Sequence, residues 1–598
     1  MFVLSAVTNS FVQSQPTQAF LPLDEIKPGM KGVGRTVFSG NAVEDFEVEI
    51  IGVLRNIQPK RNVVLARLSG PVIDDAGVVQ GMSGSPVYID GKLIGAVAYS
   101  YGTFTKEPIA GITPIEEMLS ESKQEPSSAS FSSFSASIPI RKHMSMEEIF
   151  ELNGSLRPTG TSSTEGGRMV TPLTVPLVMS GFSSPVFERV RESFTRMGFR
   201  PVLSGSAVQA AEPIAFPDMS LKAGDPVGVQ MMRGDLDMTA IGTVTYVDGN
   251  RVLAFGHPMY SLGPVEYAMT KAKVMAVIPS LAVSFKVALT DITVGRFVQD
   301  RNSGVYGELG KQPRFIPLNI SVLGHQGQVR DFRVEVTSDK ILTPALVDVA
   351  VSGVLSSEER AFGDLTLDFS ADIYLENGQS VHLEDLFSGN YNTSVTNLST
   401  LLASVVYFLT NNEFKDLDIH RIDLKARSRE EIMYSYLDTV WLDKYDVSPG
   451  ERIDIRLYVR NAQGESQSID IPPFPAPSLP SGSEFYLVIG DAAAMRAVEM
   501  SQYRVQQFVP RSLYQLIRIL SNLRKNNRIY FKVFASKPGL FLKGEEMPNL
   551  PPTMKSMFSS PRAASSNPTE LTRSTLGEYQ LPIESVFQGS AVIPIKIK

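Results

Sequence analysis

Short runs of alternating apolar and polar residues dominate the first part of the chain. A period of two is typical of strands that bury one face. Asp90-Gly91 joins the last two runs, and a two-residue Asp-Gly connection is a strong hairpin signal. The pattern therefore predicts a small antiparallel barrel or sandwich over residues 21–119. The runs are Phe46–Leu54, Asn62–Leu68, Ser85–Ile89 and Leu93–Tyr101.

A second group of strand-like runs lies between residues 221 and 360. Asp248-Gly249 supplies another hairpin turn between two of them. We therefore predict a second unit built from β-strands. The runs are Pro226–Met232, Ala240–Val247, Arg251–Gly256, Lys273–Ile278 and Phe315–Leu323.

Three segments follow helical rules instead. Ser184-Pro185 is a typical helix start, and the predicted helix runs over Val186–Met197. Apolar residues fall on one helical face in Ser394–Leu409 and in Ser512–Leu523. Because neither segment has a polar face rich in Lys or Arg, we expect both helices to pack in a core rather than on a membrane surface.

These patterns divide the chain into seven segments. The Ser-rich stretch Ser120–Pro139 lacks periodicity and is predicted to be an exposed linker. The segments are a signal-like leader (1–20), a barrel half (21–119), a linker and connecting segment with one helix (120–220), a second barrel half (221–360), a helical connecting segment (361–430), a β-sandwich-like module (431–490) and a helical, mobile C-terminal region (491–598).

Composition excludes several classes of function. The net charge of −7 over 598 residues gives no basic face, so nucleic acid is not an expected partner. The absence of cysteine removes disulfide scaffolds, thiolate zinc sites and cysteine nucleophiles. The sequence also has no Walker-type phosphate loop and no His-x-x-x-His pair, so we expect no metal and no cofactor.

The first twenty residues indicate export. They begin with a short apolar stretch and end with small residues at Thr17-Gln18-Ala19, as the tail of a secretory signal does. The alternative is a plain disordered leader. We expect a mature chain beginning near Phe20, a periplasmic or extracellular location in the bacterial cell envelope, and no transmembrane span, because no run reaches the ~20 apolar residues that a span needs.

The string Gly81-Met82-Ser83-Gly84-Ser85-Pro86 is the most informative candidate for chemistry. Glycines on both sides of a serine permit a sharp turn that exposes Oγ as a nucleophile. They also allow the amides of Gly81 and Ser83 to form an oxyanion hole. A strand and a hairpin follow, as they do behind the nucleophile of a chymotrypsin-like barrel. The alternative is an ordinary Gly/Ser turn between two strands.

A serine nucleophile needs a base, and the chain offers five histidines. His257 stands out because it follows a predicted strand and lies between a glycine and a proline. A lone histidine in such a place is more often structural, so its candidacy depends on Ser83. The other four, which lie in charged, turn-like or polar segments, are His143, His325, His382 and His420.

Four segments together resemble the SpoIVB (stage IV sporulation protein B) peptidase family of chymotrypsin-like serine peptidases. Gly77–Gly102 and Pro108–Leu119 are similar to its nucleophile segment, Ala240–Met259 to its histidine segment, and Val294–Gly310 to a block downstream. The resemblance implies a serine endopeptidase that hydrolyses protein substrates. It also implies two chymotrypsin-like barrel halves. Together with the helical segment and the sandwich-like module that the patterns above predict, this gives a mainly β fold with some helices (α+β).

The chain departs from the family pattern in three ways. The sporulation protein of the family has a PDZ domain, whereas this sequence shows no convincing PDZ pattern. Ser83 precedes His257, so the two barrel halves stand in exchanged order. A triad is defined by geometry, so this order does not prevent catalysis. In addition, the position where the family carries its acid aligns near Leu68 or Ser69, and neither is acidic.

The acid of the triad is therefore left open. Asp74 and Asp75 are near the serine string, but they are also ordinary turn residues. Asp248 belongs to an Asp-Gly turn, and Asp300 has no better claim.

Two other functions remain open. A peptidase-derived binding or scaffold protein without catalysis would explain the missing acid and the exchanged order. An esterase-like hydrolase would use the same Ser83–His257 pair on another substrate. In either case the C-terminal β module is a candidate site for a protein partner.

Overall fold

The structure is a computed structural model that describes residues 18–101, 106–123, 140–152, 170–204, 220–358, 363–412, 414, 417–503, 510–537, 539–542, 545–547, 550–558 and 569–598. Strands far exceed helices, which confirms the predicted mainly β class. The predicted leader and the predicted linker over 120–139 lie largely outside the described residues.

The first unit is a closed barrel, called here the serine barrel. Its elements are β1 (Lys31–Thr36), β2 (Glu44–Gln58), β3 (Arg61–Ser69), α1 (Pro71–Ala76), β4 (Pro86–Ile89), β5 (Lys92–Ser100), β6 (Ile109–Pro114) and α2 (Ile115–Ser122). The strand order is β4-β1-β2-β3-β6-β5, and pairing of β4 with β5 closes the barrel. Asp90 and Gly91 both have positive φ, 48° and 75°, as a type I′ hairpin turn requires. The predicted hairpin is therefore confirmed.

A connecting segment follows, with α3 (Met146–Leu152), β7 (Thr171–Pro172), β8 (Val175–Ser180), α4 (Ser184–Arg196) and β9 (Phe199–Ser204). The predicted helix is confirmed as α4, although Ser183 rather than Ser184 is the residue before its first turn.

The second unit is also a closed six-stranded barrel, called here the histidine barrel. Its elements and the two strands and helix after them are β10 (Pro226–Gly234), β11 (Asp237–Asp248), β12 (Arg251–Ala254), β13 (Gly263–Ile278), β14 (Phe285–Arg301), β15 (Gly304–Leu309), β16 (Phe315–Leu323), β17 (Val329–Thr337) and α5 (Leu342–Glu358). The strand order is β10-β13-β14-β15-β12-β11, closed by β10 with β11, and β8 extends the sheet beside β11. The two predicted barrel halves are thus both present.

The segment predicted to be helical over 361–430 is mostly sheet. It contains β18 (Asp364–Leu375), β19 (Ser380–Asn390), α6 (Tyr391–Thr410) and β20 (Ile419–Arg429). Strand β18 pairs with both β19 and β20, and β20 also pairs with β16, so the three strands extend the sheet of the histidine barrel. The sequence prediction missed the alternation in β18, where every second side chain is buried over much of its length.

Helix α6 confirms the helix predicted over Ser394–Leu409. Asn390 caps it by accepting a hydrogen bond from the Thr393 amide. By length and composition α6 could cross a membrane, but 78% of its most apolar window is buried inside the fold. Core helices of soluble proteins share this property, so the pattern is weak evidence for a span.

Within its described residues, the C-terminal part contains three sheets, two of which share a core as a sandwich, and it continues well past residue 490. Its elements are β21 (Tyr434–Leu442), β22 (Asp446–Val447), β23 (Arg452–Asn461), β24 (Ser466–Pro475), β25 (Glu484–Gly490), α7 (Ala492–Tyr503), α8 (Leu513–Ser521), β26 (Arg528–Ala535), β27 (Gly539–Leu542), β28 (Glu545–Met547), α9 (Pro552–Phe558), β29 (Thr569–Leu571), β30 (Ser574–Pro582), β31 (Val586–Gln588) and β32 (Ser590–Ile597). The region predicted to be helical and mobile over 491–598 contains the helix predicted over Ser512–Leu523, which is α8, but it also supplies strands that the prediction missed. Strand β25 pairs with β26 on one side and with β32 on the other, and both of these strands come from this region.

Candidate active site

The serine string forms a tight turn between α1 and β4. Gly81 and Gly84 adopt φ of +92° and +99°, a region that disfavours residues with a side chain. The amides of Met82 and Ser85 donate to Val79 O and Met82 O, at 3.1 and 2.9 Å. Within the described residues, the amides of Gly81 and Ser83 donate no hydrogen bond. Two unpaired amides on either side of Met82 are what an oxyanion hole requires.

The histidine lies in a second turn, directly after β12. Phe255 and Gly256 both have positive φ, 68° and 70°, and the Gly256 carbonyl accepts a hydrogen bond from Thr113 Oγ1 at 2.6 Å. His257 Nδ1 lies 2.8 Å from the carbonyl oxygen of Pro258. A carbonyl can only accept, so Nδ1 carries the proton and Nε2 keeps a lone pair. This tautomer is the one that a general base needs.

The two turns are in direct contact. A Cβ built on Gly84 would lie 1.9 Å from Thr243 O and 2.6 Å from the Phe255 amide nitrogen. The Thr243 amide donates to the carbonyl of Ser83 at 2.8 Å. Ser83 directly precedes Gly84, and His257 lies two residues after Phe255. Both residues therefore lie next to the contact between Gly84 and Phe255, although 174 positions separate them in the sequence.

Strand β5 holds both turns from one side. The Gly84 amide donates to Val97 O at 2.8 Å. A Cβ on Gly256 would lie 3.0 Å from the Ala96 Cβ and 3.2 Å from the Ala98 Cβ. Small residues at these two positions let the histidine turn approach the serine barrel closely.

The two reactive atoms are buried and unpaired. Ser83 is 0% and His257 1% exposed, and neither Ser83 Oγ nor His257 Nε2 has a hydrogen-bond partner among the described residues. The two side chains lie in adjoining turns and are not hydrogen-bonded to each other. Burial lowers the pKa of His257 to about 4, with the Pro258 carbonyl acting in the opposite direction. The imidazole is consequently neutral at physiological pH.

The acid candidates nearest the serine in sequence lie away from this pair. Asp74 and Asp75 are exposed on α1, where Asp74 Oδ1 accepts from the Gly70 amide at 3.2 Å. Asp248 is exposed in its hairpin turn. No carboxylate hydrogen-bonds to His257 within the part of the chain that the structure describes.

Asp300 supports the histidine turn in a different way. It is fully buried at the end of β14, and its carboxylate accepts from the amides of Met259 and Tyr260 at 2.9 and 2.7 Å. Burial raises the pKa of Asp300 to about 6, and the surrounding amides limit that rise. The side chain thus shapes the backbone that follows His257 without contacting the imidazole.

We expect Asp300→Ala to destabilise the protein by about 3 kcal/mol or more, because two buried amides lose their acceptor. Asp300→Asn should cost less, since it keeps one acceptor oxygen. Urea unfolding of both variants beside wild type measures the difference. Equal stability of Asp300→Ala and wild type would show that the carboxylate does not hold the turn.

Comparison with known proteins adds an identification for one part of the chain. Residues 6–119 match the family model of SpoIVB peptidase S55. This match confirms the family resemblance of the nucleophile segment and supports a peptidase, that is, a hydrolase. The matched region contains Ser83 and the strands of the serine barrel, and it ends before the histidine barrel begins. No curated protein matches the chain, and neither does any solved structure.

Sequence reasoning missed two residues of this site. Thr243, within the run Ala240–Val247, joins the barrels through its backbone and through Oγ1, which donates to Gly81 O at 2.9 Å. Lys286, the single charged residue at the apolar start of β14, lies beside Gly81. An isolated lysine in an apolar strand was the available signal. For metals, the described residues contain no group of three or more His, Asp or Glu side chains that could hold an ion.

Proposed function

We propose that the chain is a serine endopeptidase of the SpoIVB type, with Ser83 as the nucleophile and His257 as the general base. The contact between Gly84 and the Phe255 backbone carries this proposal, because it brings an unpaired serine hydroxyl and an unpaired imidazole nitrogen to one interface. The match over residues 6–119 independently supports a peptidase.

The proposed reaction is acyl transfer in two steps. Ser83 Oγ attacks the peptide carbonyl carbon while His257 Nε2 takes its proton, and the resulting oxyanion accepts hydrogen bonds from the amides of Gly81 and Ser83. His257 then returns the proton to the departing amine, which leaves an acyl-serine ester. Water, activated by the same nitrogen, hydrolyses this ester and restores the hydroxyl.

Burial of both atoms implies that the barrels separate slightly before a substrate is cleaved. Ser83 Oγ and His257 Nε2 expose less than 1 Å² each, so a polypeptide cannot reach them in this arrangement. We infer that this arrangement is the closed form of the site, and that substrate binding or a partner opens it. A small phosphonate needs only a transient opening.

A non-catalytic scaffold is the second candidate. The missing hydrogen bond between Ser83 and His257 and the missing carboxylate on the imidazole favour it. Labelling by a fluorophosphonate separates the two functions, because only an activated serine reacts. We expect a covalent adduct on the peptide that contains Ser83 after digestion and mass spectrometry. A well-folded protein that gains no adduct after prolonged incubation would favour the scaffold, as would an adduct at another residue.

The location is a separate proposal. We propose that the chain is exported, on the basis of the leader-like pattern of its first twenty residues. The N-terminal residue of the protein recovered from the producing cell tests this, since export predicts a start near Phe20. A protein partner for the C-terminal module stays a prediction.

The pKa of His257 sets an expected pH profile. A base is active in its neutral form, so a pKa lowered to about 4 keeps His257 competent well below neutral pH. We expect the labelling rate to change little between pH 6 and pH 5 and to be half-maximal near pH 4, in a range where circular dichroism shows a folded protein. Half-maximal labelling near the ordinary histidine pKa of about 6.5 would contradict the buried, neutral imidazole.

A further inference from the structure

A buried lysine from the histidine barrel lies against the serine turn. Lys286 is 1% exposed, and its amide donates to Gln80 O at 3.0 Å. The Gln80 amide in turn donates to Ser284 O at 2.8 Å. These two bonds form a parallel β-bridge between Gln80 and Phe285. The bridge fixes the start of β14 beside Gln80, which directly precedes Gly81.

The aliphatic part of Lys286 fills the space next to Gly81. A Cβ built on Gly81 would lie 3.2 Å from Lys286 Cβ and 3.3 Å from Lys286 Cδ. Gly81 has φ of +92°, and glycine is otherwise free to leave such a conformation. The lysine stem therefore limits the movement of the residue whose amide is unpaired.

A hydrogen bond to Thr36 fixes the position of the Lys286 side-chain nitrogen. Lys286 Nζ donates to Thr36 Oγ1 at 2.6 Å, and Thr36 is 0% exposed. Thr36 ends β1, which pairs with β4, the strand that begins directly after the serine turn. The amino group of Lys286 is thus fixed among buried groups on the serine side of the interface.

A purely structural role explains this lysine poorly. Among the described residues Lys286 forms no ion pair, and Glu44 acts on it only from a distance. Burial lowers the pKa of Lys286 to about 7, which shows the unfavourable environment of the charge. An apolar residue of similar length would fill the same space without desolvating an ammonium group.

We propose that Lys286 is a positioning residue for the oxyanion turn: its stem holds Gly81 with the amide free, and its ammonium places positive charge beside the developing oxyanion. This rests on the peptidase function proposed above. The arrangement also makes the oxyanion turn depend on docking of the two barrels, since Lys286 belongs to one and Gly81 to the other.

Fluorophosphonate inactivation of the full chain tests the two parts of this role. Lys286→Met keeps an unbranched stem and removes the charge, whereas Lys286→Ala removes both. We expect Lys286→Met to lower the maximal inactivation rate about 10-fold to 100-fold with little change in the half-saturating probe concentration. This loss is at most comparable with that of a direct oxyanion donor, about 10²–10³. Lys286→Ala should lose more, because Gly81 is also released. Lys311→Met, which removes an exposed lysine from the same barrel, is the matched control.

Thr36→Val supplies a second variant of nearly unchanged volume that removes the acceptor of Nζ. We expect it to slow inactivation less than Lys286→Met does. Wild-type rates in Lys286→Met, Lys286→Ala and Thr36→Val, with labelling still dependent on Ser83, would overturn the role of Lys286 and leave the peptidase intact. Absence of labelling in folded wild-type protein would remove the peptidase proposal, and the role of Lys286 with it.

Discussion

Ser83→Ala is expected to abolish covalent labelling by a fluorophosphonate, because the probe reacts only with an activated hydroxyl. Ser83 Oγ is the hydroxyl of the turn whose neighbouring amides are unpaired. His257→Ala should lower the rate by about 10⁴-fold or more, the effect typical of removing the base of a serine hydrolase. Gel fluorescence and intact mass measure both losses.

Ser85→Ala is the matched control for Ser83→Ala. Ser85 is also 0% exposed, and its Oγ also lacks a partner among the described residues. The substitution therefore makes the same chemical change two positions away, and we expect labelling at close to the wild-type rate. If Ser85→Ala removed labelling and Ser83→Ala did not, the nucleophile would be Ser85. If both variants stayed labelled, neither serine would be the nucleophile.

The parts of the fold that depend on local signals could be predicted from the sequence. The Asp90-Gly91 turn and the alternating runs around it define the β4–β5 hairpin, since both signals act between residues that are close in the chain. Helix α4 was recognisable from the residues at its ends, and helix α6 from the periodicity of its apolar residues. The fold class followed from these elements and from the family resemblance.

Partners that are distant in the sequence could not be predicted in the same way. Strand β26 is buried along most of its length, so it has no alternation to show that it is a strand, and its place beside β25 depends on a neighbour about 40 positions earlier. The same holds for the site. Ser83 and His257 were visible as motifs, whereas Lys286 acquires its place only when β14 bridges to Gln80 across about 200 positions. Alternation describes which face of a strand is buried, and it contains no information on which barrel that face meets.

The acid shows why geometry was needed. Proximity in sequence favoured Asp74 and Asp75, which the structure places on an exposed helix. Asp300 lies 43 positions after His257 and reaches the histidine turn through the β13–β14 pairing, where it is opposite Gly263. Its carboxylate binds backbone amides and does not contact the imidazole. The chain therefore orients its histidine with two acceptors, the Pro258 carbonyl on the ring and Asp300 on the loop.

Gly84→Ala is expected to have the largest effect on stability of any small substitution at this interface. The new Cβ would lie 1.9 Å from Thr243 O, a backbone atom that cannot move without shifting β11, and the residue would keep an unfavourable φ of +99°. Strain from the backbone conformation costs about 1–2 kcal/mol, and overpacking typically adds about 1–3 kcal/mol. We expect a loss of about 4 kcal/mol, together with loss of labelling, because the two turns can no longer touch.

Gly77→Ala separates these two causes. Gly77 has a φ of +72° and has no atom within 4 Å of an added Cβ, so it imposes the backbone strain without the clash. Its ψ of −156° places Gly77 in a backbone region that is essentially restricted to glycine, so we expect a loss of about 1–3 kcal/mol there, with labelling retained. Denaturant unfolding of both variants gives the two free energies. Equal losses at Gly77 and Gly84 would mean that the barrels are not in the close contact described here, and the shared Ser83–His257 site would lose its structural basis.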